Sequence, residues 1–145
     1  MIEIPIKVLD EGIPVPEYAH AGDAGLDLRC TEDFTLEPFQ RAAIPTGIAV
    51  ELPEGYAALV LPRSGLAIRH GISLVNAPGL IDSNYRGEIK AILVNLDPEQ
   101  AFSAKRGERI AQLLVLGVEE VRLVVQKELA ETERGEAGFG SSGTA

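Results

Sequence analysis

A chain of 145 residues fits one domain, and 46% hydrophobic against 24% charged residues give it enough apolar surface for a core, which argues against wholesale disorder. A formal charge of −9, from 22 acidic and 13 basic side chains, argues against a long nucleic-acid polymer as ligand, because neutralising phosphates supplies most of that affinity. No basic-then-apolar leader opens the sequence, and the longest apolar run, "LLVLGV", falls far short of the roughly 20 residues that span a bilayer, so a cytoplasmic protein without a membrane is expected.

Short apolar and β-branched stretches recur along the chain: "IEIPIKVL", "RAAIPTGIAVEL", "YAALVL", "GISLV", "EIKAILVNL", "ERIAQLLVLGV" and "EVRLVVQKEL". Gly, Pro, Asn and Asp punctuate them, which predicts an all-β sandwich or barrel. Prolines at 5, 14, 16, 38, 45, 53, 62, 78 and 98 would interrupt long helices or central strands. The one short helix is expected over "RSGLAIRHG", 63–71, with Gly71 closing its end. Residues 108–116 fit either period, and their shortness favours a strand. The last twelve residues, "RGEAGFGSSGTA", are too rich in Gly and Ser to build a core and are expected to be mobile. Within them "GFGSSG" spells a dinucleotide fingerprint, but only Thr144 and Ala145 follow it, so no helix can. The lone Cys30 cannot form an internal disulfide, and His20 and His70 have no metal-ligand spacing around them.

Three stretches could hold chemistry. In "NAPGLIDSNYRGEIKAIL", 76–93, "GLID" and "EIKAILV" are expected to form a hairpin across "SNYRG". Such a bend would expose backbone donors and acceptors to a planar ring, with Asn76 adding an amide, Tyr85 a flat wall and Asp82 an acid. Asp82 as a turn cap and Tyr85 as cover for the core are the structural alternatives. In "PRSG", 62–65, Arg63 and the free N–H groups at the start of the helix suit a phosphate, or Ser64 simply caps the helix. In "AGDAGLDL", 21–28, Asp23 or Asp27 could serve a magnesium ion, which is usually held by one or two carboxylates plus substrate phosphates, or both simply form a Gly-rich turn. Nine of the 13 basic residues are arginine, whose planar fork fits phosphate oxygens, so a small anion remains open beside ordinary surface ion pairing.

In order, "AGDAGLDL", "PRSG", "NAPGLIDSNYRGEI", "RGERIAQLLV" and "RGEAGFGSSG" resemble the five motifs of the trimeric dUTPases, the deoxyuridine triphosphate nucleotidohydrolases. The resemblance implies a jelly-roll-like β-barrel domain over 1–133 and a C-terminal arm, 134–145, that closes over the active site. It implies an enzyme that hydrolyses dUTP to dUMP and pyrophosphate with Mg2+, limiting uracil in DNA and supplying dUMP for thymidylate synthesis. Asp82 would be the catalytic general base, and Asp27 would hold the metal through its water shell. Arg63, Ser64, Gly65 and Gln112 would bind phosphates. Asn76, Gly79, Ile81 and Tyr85 would hold the nucleoside, with Tyr85 under the deoxyribose excluding a 2′-hydroxyl. Arg134, Phe139, Gly140, Ser141 and Ser142 would come from the arm, Phe139 stacking on uracil. A homotrimer would share its sites between subunits. The nearest rival on this scaffold, a dCTP deaminase, carries a Ser-Ser-Arg stretch and a catalytic glutamate; here the stretch reads "RSGLAIR", and Glu88 is the acid to watch. A non-catalytic nucleotide sensor is the rival from another class.

Overall fold

The computed structural model describes residues 1–132 together with 135 and 136. Its strands are β1 (Ile6–Val8), β2 (Leu26–Arg29), β3 (Phe34–Leu36), β4 (Arg41–Pro45), β5 (Ile48–Val50) and β6 (Tyr56–Leu61). After the helix α1 (Ser64–His70) come β7 (Ile72–Leu74), β8 (Gly79–Ile81), β9 (Lys90–Asn95), β10 (Phe102–Ala104) and β11 (Arg109–Gly117). One sheet runs β2-β11-β6-β8 and another β4-β9-β7, with two antiparallel pairs, β1-β5 and β3-β10, beside them. The fold is mostly β and jelly-roll-like, and among the described residues its ladders do not join into one closed barrel.

The period-2 pattern of β9 sends Ala91, Leu93 and Asn95 inward. They meet Leu28, Leu36, Ile72 and Ile110 in a shared core. β11 is paired on both edges, to β2 and to β6, and is apolar apart from Arg109 and Gln112. A bulge between Arg109 and Ala111 lets Ile110 and Ala111 both be buried. The helix ends as expected, Gly71 adopting φ 64° and donating to Ala67 O. A Cβ there would also lie 2.9 Å from Asp97 N, so the position needs glycine twice over.

Two expectations are overturned. "EVRLVVQKEL", 120–129, forms no strand. β11 ends at Gly117, and this segment finds no partner edge among the described residues, so Val121, Leu123 and Val125 stand 76%, 92% and 97% exposed. The hairpin across "SNYRG" is not a paired hairpin either. Both edges of β9 are taken, by β4 and β7, so β8 pairs with β6 instead. Residues 82–89 therefore cross from one sheet to the other. β2, β3 and β10, all short and set among turn-forming residues, carry no apolar run long enough to announce them.

A clasp ties three distant loops together. Arg106 donates from both terminal nitrogens to Asp10 and also to Thr31 O, while its main-chain N–H donates to Asp33 Oδ1 at 2.8 Å. Lys105 Nζ meets Asp33 Oδ2 at 2.8 Å. The Arg106 guanidinium holds Asp10 below the ordinary carboxylate range, and Lys105 does the same for Asp33. Because the folded pKa values are depressed, this stabilisation is complete above the unfolded pKa of about 3.9 and is lost as pH falls through the folded values. Solvent and salt weaken it, since both carboxylates face water. The difference in Tm between the wild type and Arg106→Gln should therefore be steady from pH 7 to 5 and shrink below about pH 4. A difference that stays constant down to pH 2 would show that the clasp acts by packing alone.

Candidate active site

Asp82 follows directly on β8, the edge strand of its sheet, whose outer side has no partner among the described residues. That open edge presents the main-chain groups that the bend was expected to offer, although it arises from sheet order and not from a hairpin. Ile81, Asp82 and Tyr85 line an open pocket of ≈ 510 Å³ with Ala43, Leu80, Glu88, Lys90 and Ile92. Tyr85 N–H donates to the main-chain oxygen of Asp82 at 3.1 Å, which turns the chain and leaves the Asp82 carboxylate for the pocket. Tyr85 Oη donates to Glu88 O at 3.0 Å, and Arg86 Nη1 donates to Ser83 O at 2.6 Å. Asn76 and Gly79 do not line this pocket; Asn76 packs on Gly79, its Nδ2 3.1 Å from where a Cβ would stand.

A second group forms where β2, β11 and the end of β6 meet. The pairing sets Gln112 opposite both Asp27 and Leu61, and two residues beyond Leu61 the chain reaches Arg63. Asp27, Arg63, Arg109 and Gln112 line a pocket of ≈ 380 Å³ with His20 and Asp23. Asp27 is bracketed by two guanidiniums: Arg109 Nη1 donates to Oδ2 at 3.0 Å, and Arg63 Nε lies 3.3 Å from Oδ1. The Arg63 Nε is buried and makes no aligned hydrogen bond among the described residues, so charge and not direction holds that side of the pair. Arg63 Nη1 also donates to Arg109 O at 3.0 Å, which locks the two arginines together. Fixed guanidiniums with N–H groups to spare suit an incoming phosphate chain.

Arg63 occupies the cap position of α1 without a side-chain cap bond, and Ser64 is the first helical residue rather than the cap. Ser64 and Gly65 adjoin Arg63 but do not line this pocket. Arg134, Phe139, Gly140, Ser141 and Ser142 lie outside the described residues. Arg109 and Lys90 were not singled out in the sequence; Arg109 reaches Asp27 only because β11 pairs with β2, which no local spacing announces. Glu88 has a structural use: its Oε1 accepts the Gly47 N–H at 3.0 Å.

The two groups share no lining residue. Ile81 stands opposite Ala58 and Gln112 opposite Leu61, on the two sides of β6, and Asp82 continues away from Leu61. At 3.3 Å per residue and 4.8 Å per strand, Asp82 and Gln112 are about 13 Å apart along the sheet and roughly 10 Å across it.

A family model described as dUTPase matches residues 11–143. A deoxyuridine 5'-triphosphate nucleotidohydrolase of Streptomyces avermitilis is 55% identical over 99% of this chain and 84% of its own length. One of Bifidobacterium longum is 51% identical, over 99% of this chain and 91% of its own. Among solved structures, a mutant of the Staphylococcus bacteriophage 80alpha dUTPase with dUpNHpp superposes with a TM-score of 0.90 at 30% identity, covering 99% of this chain and 100% of that one. A mutant dUTPase from phage phi11 of S. aureus, described with a structural Mg(II) ion, gives 0.80 at 25% identity over 88% of this chain and 98% of its own.

Proposed function

The chain belongs to the dUTPase family, and from that premise we propose that it hydrolyses dUTP to dUMP and pyrophosphate by attack of water on the α-phosphorus. The observation that carries the reading is Asp82 beside Tyr85 in a pocket along an unpaired strand edge. The edge offers uracil the donors and acceptors of a neighbouring strand. Tyr85 lies where the deoxyribose packs, and Asp82 orients the attacking water and takes its proton. Arg63 and Gln112 draw the phosphates, with Ser64, Gly65 and the neighbouring Arg109. Ile81 borders the base, and Asn76 with Gly79 would act on it from outside that pocket.

Magnesium fits this donor set in one manner only. Among the described residues no three His, Cys, Asp or Glu side chains are grouped to cage an ion, and both oxygens of Asp27 face arginines. Asp27, with Asp23 in the same pocket, would hold the ion through its water shell while substrate phosphates supply the inner ligands. Bound there, magnesium neutralises charge on the triphosphate.

The reading includes a homotrimer with sites shared between subunits. The separation of the Asp82 and Arg63 groups supports it, as does the exposed apolar run Val121, Leu123 and Val125, which a second copy would cover. Arg134, Phe139, Gly140, Ser141 and Ser142 close over the nucleotide in the same scheme. The lone, buried Cys30 suits a reducing cytoplasm, and the product dUMP would feed thymidylate synthesis while dUTP is kept from DNA.

The test is product analysis with magnesium and, separately, dUTP, dCTP, dTTP and UTP. Release of dUMP and pyrophosphate from dUTP alone is expected; ammonia from dCTP, or tight dUTP binding without product, would sink the proposal. For the shared site, Asp82→Asn and Arg63→Ala should each be inactive, yet mixing them after mild dissociation should restore part of the activity. No recovery in a mixture shown to have exchanged subunits would place both groups in one chain's site.

A further inference from the structure

Gly87 lies at a bend, but its φ is outside the left-handed region that favours glycine, so the backbone does not demand a glycine there. Space explains it instead. A Cβ at this position would fall 2.5 Å from Tyr85 Cζ, 3.0 Å from Cε2 and closer still to Oη, and its three nearest neighbours are all atoms of that one ring. The phenol end of Tyr85 thus lies directly on the Gly87 main chain. Its hydroxyl is tied one residue further on, to Glu88 O at 3.0 Å. Glu88 is in turn anchored through Gly47, and Ile89 N–H donates to Ile48 O at 2.9 Å, so the seat is fixed to β5.

We infer that Gly87 is a positioning residue for sugar selectivity: the missing side chain lets Tyr85 lie down into the pocket wall, and the Glu88 carbonyl pins it there. This rests on the dUTP reading and on Tyr85 as the wall beneath the sugar. Tyr85 is 43% exposed, so a methyl at 87 displaces the ring outward instead of breaking the fold. A displaced wall no longer fills the volume that a 2′-hydroxyl needs.

The experiment compares kcat and KM for dUTP and UTP in the wild type, Gly87→Ala, Tyr85→Phe, Tyr85→Ala and the double variant Tyr85→Ala/Gly87→Ala. Gly87→Ala should keep the wild-type Tm while its preference for dUTP over UTP falls about 10- to 100-fold. The fall should come from a higher KM for dUTP and a gain in kcat/KM for UTP, with kcat for dUTP little changed. Tyr85→Phe, which keeps the ring and loses only the bond to Glu88, should fall between wild type and Gly87→Ala. In the Tyr85→Ala background Gly87→Ala should change selectivity no further, as expected of a residue that acts through another. Unchanged selectivity in Gly87→Ala, or an equal loss with and without the Tyr85 ring, would overturn the inference. A wild type that fails to prefer dUTP is a different outcome: it removes the functional reading, and the inference falls with it.

Discussion

Asp82→Asn should lower kcat for dUTP by about 10³-fold, within the range that a positioned general base contributes, and leave nucleotide binding nearly intact. Asparagine keeps the size of the side chain and its reach into the pocket but cannot take a proton from water. The turn that follows survives, because Tyr85 N–H bonds to the main-chain oxygen of residue 82 and not to its carboxylate. Binding also survives, because the contacts assigned to the phosphates stand in the other pocket, around Arg63 and Gln112. Single-turnover kinetics and titration of a non-hydrolysable dUTP analogue separate the two effects. Loss of binding in parallel with loss of rate would make Asp82 a ligand-holding residue and not the base.

Asn95→Leu should cost about 3 kcal/mol of stability. Asn95 is fully buried at the inward-facing end of β9. Its Nδ2 donates to Leu36 O at 3.0 Å and to Gln100 O at 2.8 Å, and its Oδ1 accepts the Asp97 N–H at 2.9 Å. Leucine fills the same volume, so the loss comes from main-chain groups left without partners, each about 1 to 3 kcal/mol where water cannot reach. Thermal unfolding should fall by roughly 6 to 12 °C for a domain of this size. An unchanged Tm would mean that water enters and replaces the amide.

How legible the molecule was depends on the scale of the signal. "YAALVL" and "ERIAQLLVLGV" became β6 and β11, because a short, largely apolar run bounded by turn residues is what a strand buried on its faces requires. Gly71 was readable as the helix end because a left-handed residue there needs a glycine. "EVRLVVQKEL" misled for an instructive reason: its composition is that of a strand, but a strand exists only where it pairs, and pairing is decided by the assembled sheets and not by local composition. The same limit hid the pairing of β8 with β6. At the site, Asp82, Tyr85, Asp27 and Arg63 were visible as chemistry within short motifs. Arg109, Lys90 and the use of Glu88 to hold Gly47 were not, because each acts across pairings that join residues far apart in the chain.

The segment that carries Asp82 leaves one sheet at Ile81 and enters the other at Lys90. It therefore links the two sheets and is tied to β5 on the way, so its acid is aimed by how these elements sit together and not by any one alone. Any slippage of one sheet against the other, too small to expose the core or alter a ladder, is delivered to the carboxylate and the tyrosine as misalignment. If Asp82 serves as proposed, activity would report such a shift before unfolding does.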